Sequence, residues 1–260
     1  MSRVNYDQIA PEYNRRFISP NLEARGLVLI ALAQSLKARR ILEAGCGTGH
    51  WLAALRPVTP KLFGLDYSSG MLRQAARRQS GLELVQASAD RLPFAARSFE
   101  LVYCVDAIHH FPEPRRFIVQ AMQALRPGGA LAILGLDPHN PQNAWYAYDF
   151  FDGMRGSDLQ RFPSQSQLAE WMESAGFENI RFARVERLDE TRTGREVLSD
   201  PYLEKNSSSQ MALLNDAVHR AGLAKLAAAV AKAEQRGESF TGRTVLGIDM
   251  LTGYRSSKGR

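Results

Sequence analysis

One stretch limits the fold more than any other. Ile41-Leu42-Glu43-Ala44 runs directly into Gly45-Cys46-Gly47-Thr48-Gly49, three glycines at alternate positions. A short apolar run entering a Gly-rich turn reads as a buried strand feeding a loop that something approaches closely. The apolar Trp51-Leu52-Ala53-Ala54-Leu55 that follows predicts a helix, so the unit is strand, Gly loop, helix. Glycine suits such a loop because it tolerates positive φ and, lacking Cβ, exposes its backbone to a ligand. The start of the helix adds free N–H groups and a partial positive charge, which favour an anionic group.

A tight strand–helix turn would explain the glycines alone. The surroundings narrow the reading. The spacing is G-x-G-x-G rather than G-x-G-x-x-G, and no Lys-Ser/Thr follows as in a phosphate-binding P-loop. A second apolar run, Lys61 to Leu65, ends in Asp66, close to the roughly 20 positions expected for a carboxylate that reaches ribose hydroxyls. A carboxylate accepts two hydrogen bonds from a vicinal diol, which makes a ribose a natural partner.

The bulk properties set outer bounds. With 260 residues and 45% hydrophobic composition, the chain can build one large α/β domain with a small cap. No apolar run reaches the roughly 18 residues of a membrane span. The first residues lack an apolar signal core, so a cytoplasmic location is the expectation. Cys46 and Cys104 are too few for a disulfide framework or a metal cluster, and no metal is expected. The net charge of +6 is spread along the chain rather than gathered in a basic block, which disfavours a nucleic-acid partner. Oligomeric state is not legible.

Glu43-Ala44-Gly45-Cys46-Gly47-Thr48-Gly49 and Gly64-Leu65-Asp66-Tyr67-Ser68 together resemble the class I S-adenosylmethionine-dependent methyltransferases. The resemblance continues through Ala89-Asp90-Arg91-Leu92-Pro93-Phe94, Ser98 to Val102 and Leu125-Arg126-Pro127-Gly128-Gly129, and so covers about residues 35 to 137. The most similar subgroup is the small-molecule one that includes the quinone C-methyltransferases. The resemblance implies a Rossmann-like seven-stranded sheet of order 3-2-1-4-5-7-6 with strand seven antiparallel. It implies S-adenosylmethionine as methyl donor and S-adenosylhomocysteine as product. Glu43, Ala44, Gly45, Gly47 and Gly49 would cradle the donor, with Asp66 on its ribose and Tyr67 and Met71 alongside. Ala89, Asp90 and Arg91 would hold the adenine. The Tyr6-Asp7-x-x-Ala10-x-x-Tyr13 segment would fold over the donor as a lid within residues 1–20, with Tyr13 and Arg16 contacting it.

Strand four, Phe99 to Val105, leads to Asp106-Ala107-Ile108-His109-His110. Ligands of open α/β sheets lie beyond the carboxyl ends of strands at the switch in strand order, so Val105 to His110 should face the donor. His109 or His110 is a candidate proton acceptor, although a histidine bonded to backbone and holding the loop is the favoured reading. The Asp/Asn-Pro-Pro-aromatic and Pro-Cys signatures of nucleic-acid methyltransferases are absent here.

Strand five is expected at Ala130 to Gly135 and strand six at Asn179 to Leu188, with the last strand at Arg243 to Leu251. Two segments exceed what the fold needs. Residues 139–163 are aromatic, with Trp145 and Tyr148 as candidate substrate-pocket residues or as packing for a cap. Residues 189–241 read as mostly helical. The expectation is one domain over 1–260 with these segments as cap insertions, acting on a small-molecule O, N or C nucleophile. An RNA methyltransferase and a non-catalytic S-adenosylmethionine-binding module are the alternatives.

Overall fold

A computed structural model describes residues 4–11, 13 and 23–257. They divide into two compact units, the larger formed by Asn5–Leu136, Pro163–Glu186 and Ile248–Arg260, the smaller chiefly by Asp137–Phe162 and Arg187–Gly247.

The larger unit is built on parallel strands β1 (Arg40–Ala44), β2 (Lys61–Asp66), β3 (Glu83–Gln86), β4 (Phe99–Val105) and β5 (Leu125–Leu136). They lie in the order β3-β2-β1-β4-β5. Strand β8 (Thr241–Arg255) continues the sheet antiparallel to β5, from Ala130 opposite Tyr254 to Leu136 opposite Ile248. Strand β7 (Phe177–Thr193) also pairs with β8. The order is the expected one, β8 being the strand numbered seven from sequence and β7 the one numbered six. An additional two-residue strand, β6 (Ala144–Trp145), raises the sheet to eight strands.

Alternation along the strands explains the layers. Leu42, Ala44, Val102, Cys104, Leu131 and Ile133 share one core with Phe117 and Ile118 of α5 (Pro114–Ala124) and Leu168 and Met172 of α7 (Gln165–Ser174). Ile41, Leu101, Tyr103, Val105, Ala132 and Leu134 share the other with Leu29 and Leu32 of α2 (Glu23–Ser35) and Trp51 and Leu52 of α3 (His50–Ala54). Side chains at period two thus bury both faces, and the central strands read as continuous apolar runs. Helix α4 (Ser69–Arg78) starts on a Ser68 cap whose hydroxyl accepts the Met71 N–H. Four residues, Tyr6–Ile9, form α1.

The smaller unit holds β6, α6 (Met154–Arg161), α8 (Ser209–Leu213) and α9 (Asp216–Gln235), joined by 3-10 turns at Tyr146–Asp149, Gly194–Ser199 and Pro201–Leu203. The segment expected to be mostly helical opens in strand, because β7 runs on to Thr193 instead of stopping at Leu188. β6 pairs with the first part of β8, Trp145 opposite Thr244. Trp145, Tyr146, Phe151, Met154, Leu203, Met211 and Leu226 form its core. Helix α9 meets Phe151 at Gly222, where a Cβ would lie 2.3 Å from the ring. Among the described residues, no helix is long and apolar enough to cross a membrane.

Candidate functional site

The glycine loop leaves β1 at its carboxyl end and is tied back to β2. The Gly45 and Cys46 N–H groups both donate to the Leu65 carbonyl, at 2.7 and 3.0 Å. Gly45, Gly47 and Gly49 all have positive φ, at 70°, 52° and 73°. They are not equivalent. A Cβ on Gly45 would lie 2.6 Å from Ala107 Cβ, so this glycine lets β1 and the segment after β4 approach each other. Among the described residues, a Cβ on Gly47 would meet only Tyr13, at 3.9 Å. Gly47 therefore needs its backbone angle, and its outer side offers space to a ligand.

Asp66 ends β2 beside this loop. Its Oδ2 accepts the Gly47 N–H at 2.8 Å and its Oδ1 the Ser68 N–H at 2.9 Å. Burial raises its pKa, while the N–H groups of Ser68, Gly47 and Tyr67 oppose the shift. Each carboxylate oxygen retains further acceptor capacity, so the group can serve the loop and a diol together. Tyr67 beside it is 73% exposed, an open aromatic face next to the carboxylate.

Glu43 stands differently. It is 1% exposed, and its carboxyl accepts the Tyr103 hydroxyl at 3.1 Å and the Leu52 N–H. Burial pushes it well above the usual carboxyl range. Its side chain thus braces the loop through Tyr103 of β4 and Leu52 of α3. Ala44 and Met71 are also buried, at 0% and 2%, and offer a ligand no side-chain surface. Ala89 and Asp90 lie in the turn after β3; Asp90 is 7% exposed and accepts the Ser88 hydroxyl on Oδ1. The Arg91 side chain is exposed and its N–H donates to the Ser88 carbonyl.

Beyond β4, Val105 is buried and Asp106 adopts a positive φ of 48°. His109 and His110 lie in a 3-10 turn, with ring centroids 3.9 Å apart. His110 Nε2 is 2.6 Å from the Tyr6 hydroxyl. This pairing ties the His110 ring to the amino-terminal segment rather than to backbone. His50, at the start of α3, was not a candidate from sequence; burial first, then Arg78 and Arg25, lower its pKa to about 4, so it is neutral at neutral pH.

The amino-terminal segment reaches three parts of this site. Tyr6 meets His110, Tyr13 lies near Gly47 and edge-on to Tyr6, and Asp7 accepts from Ser68 and Gly70. Tyr6 and Asp7 escaped the sequence reading, although they are the first two residues of the segment it singled out. Arg16 lies outside the described residues. Arg25 was also missed. It sits in α2, 9% exposed, paired with Glu186 at 2.7 Å and with Asp106. Nothing in an Ala- and Leu-rich helix marks the one arginine whose partners arrive from β4 and β7.

Trp145 and Tyr148 are placed in the smaller unit's own core. Trp145 is 8% exposed and packs edge-on to Tyr148 with centroids 5.7 Å apart. The Tyr148 hydroxyl donates to Asp158 at 2.8 Å. Among the described residues no group of His, Cys, Asp and Glu could hold a metal ion.

Comparison with known proteins agrees with this geometry. Residues 42–133 match a family described as a methyltransferase domain. The chain is 36% identical over 115 residues to a phthiotriol/phenolphthiotriol dimycocerosates methyltransferase of Mycobacterium leprae, covering 43% of each chain. It is 26% identical to a demethylmenaquinone methyltransferase of Clavibacter sepedonicus, over 67% of this chain and 81% of that one. The chain thus spans less than half the length of the mycobacterial relative it matches. In fold it is similar to a putative methyltransferase from an antibiotic biosynthesis pathway of Anabaena variabilis, with a TM-score of 0.70 and 18% identity over 90% of this chain and 97% of that one. The glycine loop, the Asp66 carboxylate and the strand order thus lie in a segment, residues 42–133, that is similar to a methyltransferase domain, within a fold similar to that of solved methyltransferases.

Proposed function

We propose that this protein transfers a methyl group from S-adenosylmethionine to a small-molecule O, N or C nucleophile. The observation that carries the reading is the Gly47–Asp66 hydrogen bond, which holds a positive-φ glycine loop beside a carboxylate with acceptor capacity to spare. Relatives whose names specify lipid and quinone methylation support the small-molecule class.

The residues present fit the donor. Asp66 would accept from the ribose hydroxyls, Tyr67 would offer its ring to the adenine, and Asp90 would accept from an amino group there. Gly45, Gly47 and Gly49 would let the chain pass close to the donor's backbone-like end. The sulfonium supplies an activated methyl carbon, which an acceptor attacks in line to leave S-adenosylhomocysteine. This chain's part is orientation and exclusion of water. The loop and Asp66 fix where the donor lies, and Tyr6 and Tyr13 cover the approach. His110 is already engaged with Tyr6, so no general base is assigned to it. Acceptor selectivity is assigned to the smaller unit, which the donor-binding strands do not require.

The test has two stages. Calorimetry with S-adenosylhomocysteine should give saturable binding to the wild-type chain. Incubation of the protein and S-adenosylmethionine with fractionated metabolites should then release S-adenosylhomocysteine in a fraction-dependent way. Binding without release in any fraction would favour a binding module over an enzyme.

A further inference from the structure

Asp7 has no place in the chemistry above, yet its carboxyl is bonded to the start of α4. Its Oδ1 accepts the Ser68 hydroxyl at 2.8 Å and the Gly70 N–H at 2.6 Å. These two bonds, the Gly70 one first, hold its carboxyl below the usual range, with a smaller attraction from Arg73. Asp7 therefore acts as a second, distant acceptor at the start of α4, where N–H groups lack partners and the helix end attracts negative charge.

Gly70 is shaped for this contact. A Cβ there would fall 2.8 Å from Asp7 Oδ1, 3.1 Å from Asp7 Cα and 3.4 Å from Ala10 Cβ. The absence of a side chain at one position of α4 is what lets α1 settle on it. The bonds also run on into the donor site. Ser68, which donates its hydroxyl to Asp7, donates its N–H to Asp66, and Asp66 accepts from Gly47. Gly47 in turn lies near Tyr13, three residues beyond the Ala10 that faces Gly70.

We propose that Asp7 and Gly70 form a latch that holds the amino-terminal lid shut over the methyl donor, so that Asp7 is a positioning residue that sets how long donor and product stay bound. The proposal rests on the methyl-donor reading of the Gly47–Asp66 site. A donor seated between the loop and Tyr13 leaves only when Tyr13 moves. Tyr13 is carried by the segment that Asp7 pins to α4.

The test measures the dissociation rate of S-adenosylhomocysteine from the full chain. Asp7→Ala removes the acceptor, and Gly70→Ala blocks the approach from the other side. Each should speed dissociation about tenfold, the scale of losing charge-assisted bonds at an exposed site. Asp7→Asn keeps an acceptor oxygen and should lie within about threefold of wild type. The double variant should be no faster than either single change, because both break one contact. Gly70→Ala also carries an internal control. Alanine favours a helix over glycine, so its melting temperature should match or exceed that of wild type while the ligand leaves faster. Unchanged rates in Asp7→Ala and Gly70→Ala, or rates that multiply in the double variant, would overturn the latch. Failure of the wild-type chain to bind S-adenosylhomocysteine at all would instead remove the donor reading beneath it.

Discussion

Asp66 in the larger unit and Asp158 in the smaller one are both carboxylates that accept several hydrogen bonds, yet their partners differ in kind. Asp66 is held by the backbone N–H groups of Gly47 and Ser68, and among the described residues no cationic side chain pairs with it. Asp158 is fully buried and is held by side chains, the Tyr148 hydroxyl at 2.8 Å and Arg161 at 2.7 Å. The same pattern recurs at Asp200, which accepts the Tyr146 hydroxyl at 2.7 Å and lies 3.6 Å from Arg192. A carboxylate held by backbone fixes the course of a loop and keeps its charge available to a ligand. One matched to an arginine and a tyrosine is compensated from within, which is how a buried charge is tolerated in a scaffold. The donor half therefore presents polar groups outward, and the smaller unit spends its own on cohesion.

The sharpest way to break this contrast is at the loop. Gly47→Val places a β-branched residue at a φ of 52° and fills the space above the loop. Donor binding should be lost in a chain that still folds, as read by calorimetry alongside circular dichroism. Gly45→Ala should do the reverse in emphasis, lowering stability first, because its Cβ would press on Ala107 at 2.6 Å. Normal S-adenosylhomocysteine affinity in Gly47→Val would remove the loop from the site.

Next in size is Asp66→Ala. Loss of hydrogen bonds to a charged group should weaken donor binding by roughly 1.5–3 kcal/mol. Asp66→Asn keeps one acceptor oxygen and should fall between. Affinities of the two variants that match wild type would place the ribose elsewhere.

The smaller unit should respond in the opposite currency. Tyr148→Phe leaves Asp158 buried with one donor fewer, at a cost of about 1–2 kcal/mol of stability. Its affinity for S-adenosylhomocysteine should stay within about twofold of wild type. A fall in affinity that outruns the fall in melting temperature would mean that Tyr148 serves the donor after all.

What could be read in advance follows from how locally each feature is encoded. The glycine loop, the Asp66 turn and the central strands were legible because short runs specify them: apolar runs, alternate glycines and an acidic residue closing the second run. The strand order came from the resemblance rather than from any run of residues. Partners distant in sequence were not legible. Nothing local joins Arg25 to Asp106 and Glu186, or Asp7 to Gly70. The aromatic run around Trp145 showed the converse limit. Its density announced burial, but burial inside a core and burial around a ligand have the same composition, and only the Tyr148–Asp158 bond displays a cohesive role. The bonds of Glu43 were hidden for a related reason. Position in a motif says which residue is near a loop, not which side of the loop its carboxyl takes.

Glu43 supplies the smallest expected effect and the finest test of the contrast, since it shares the loop with Asp66 but faces the core. Its folded-state pKa is raised well above the usual value, with burial as the first cause. A raised pKa contributes stability that is complete below the ordinary carboxyl pKa, near ~4.3, and is lost as pH rises through the folded-state value. Between those limits the unfolded chain ionises Glu43 while the folded chain keeps it neutral, so each step upward in pH favours unfolding. Glu43→Gln removes that proton and keeps a neutral acceptor for the Tyr103 hydroxyl or the Leu52 N–H. The melting temperature of the variant should therefore gain on wild type as pH rises above the ordinary carboxyl range, the two lying nearest each other where both side chains are neutral. A gap that stays constant over this rise would mean that Glu43 is ionised in the folded chain. Donor affinity should not move beyond about twofold at any pH in the window, because a side chain that is 1% exposed offers the ligand nothing to lose. A loss of affinity as large as that of Asp66→Ala would instead return Glu43 to the ligand's side of the loop.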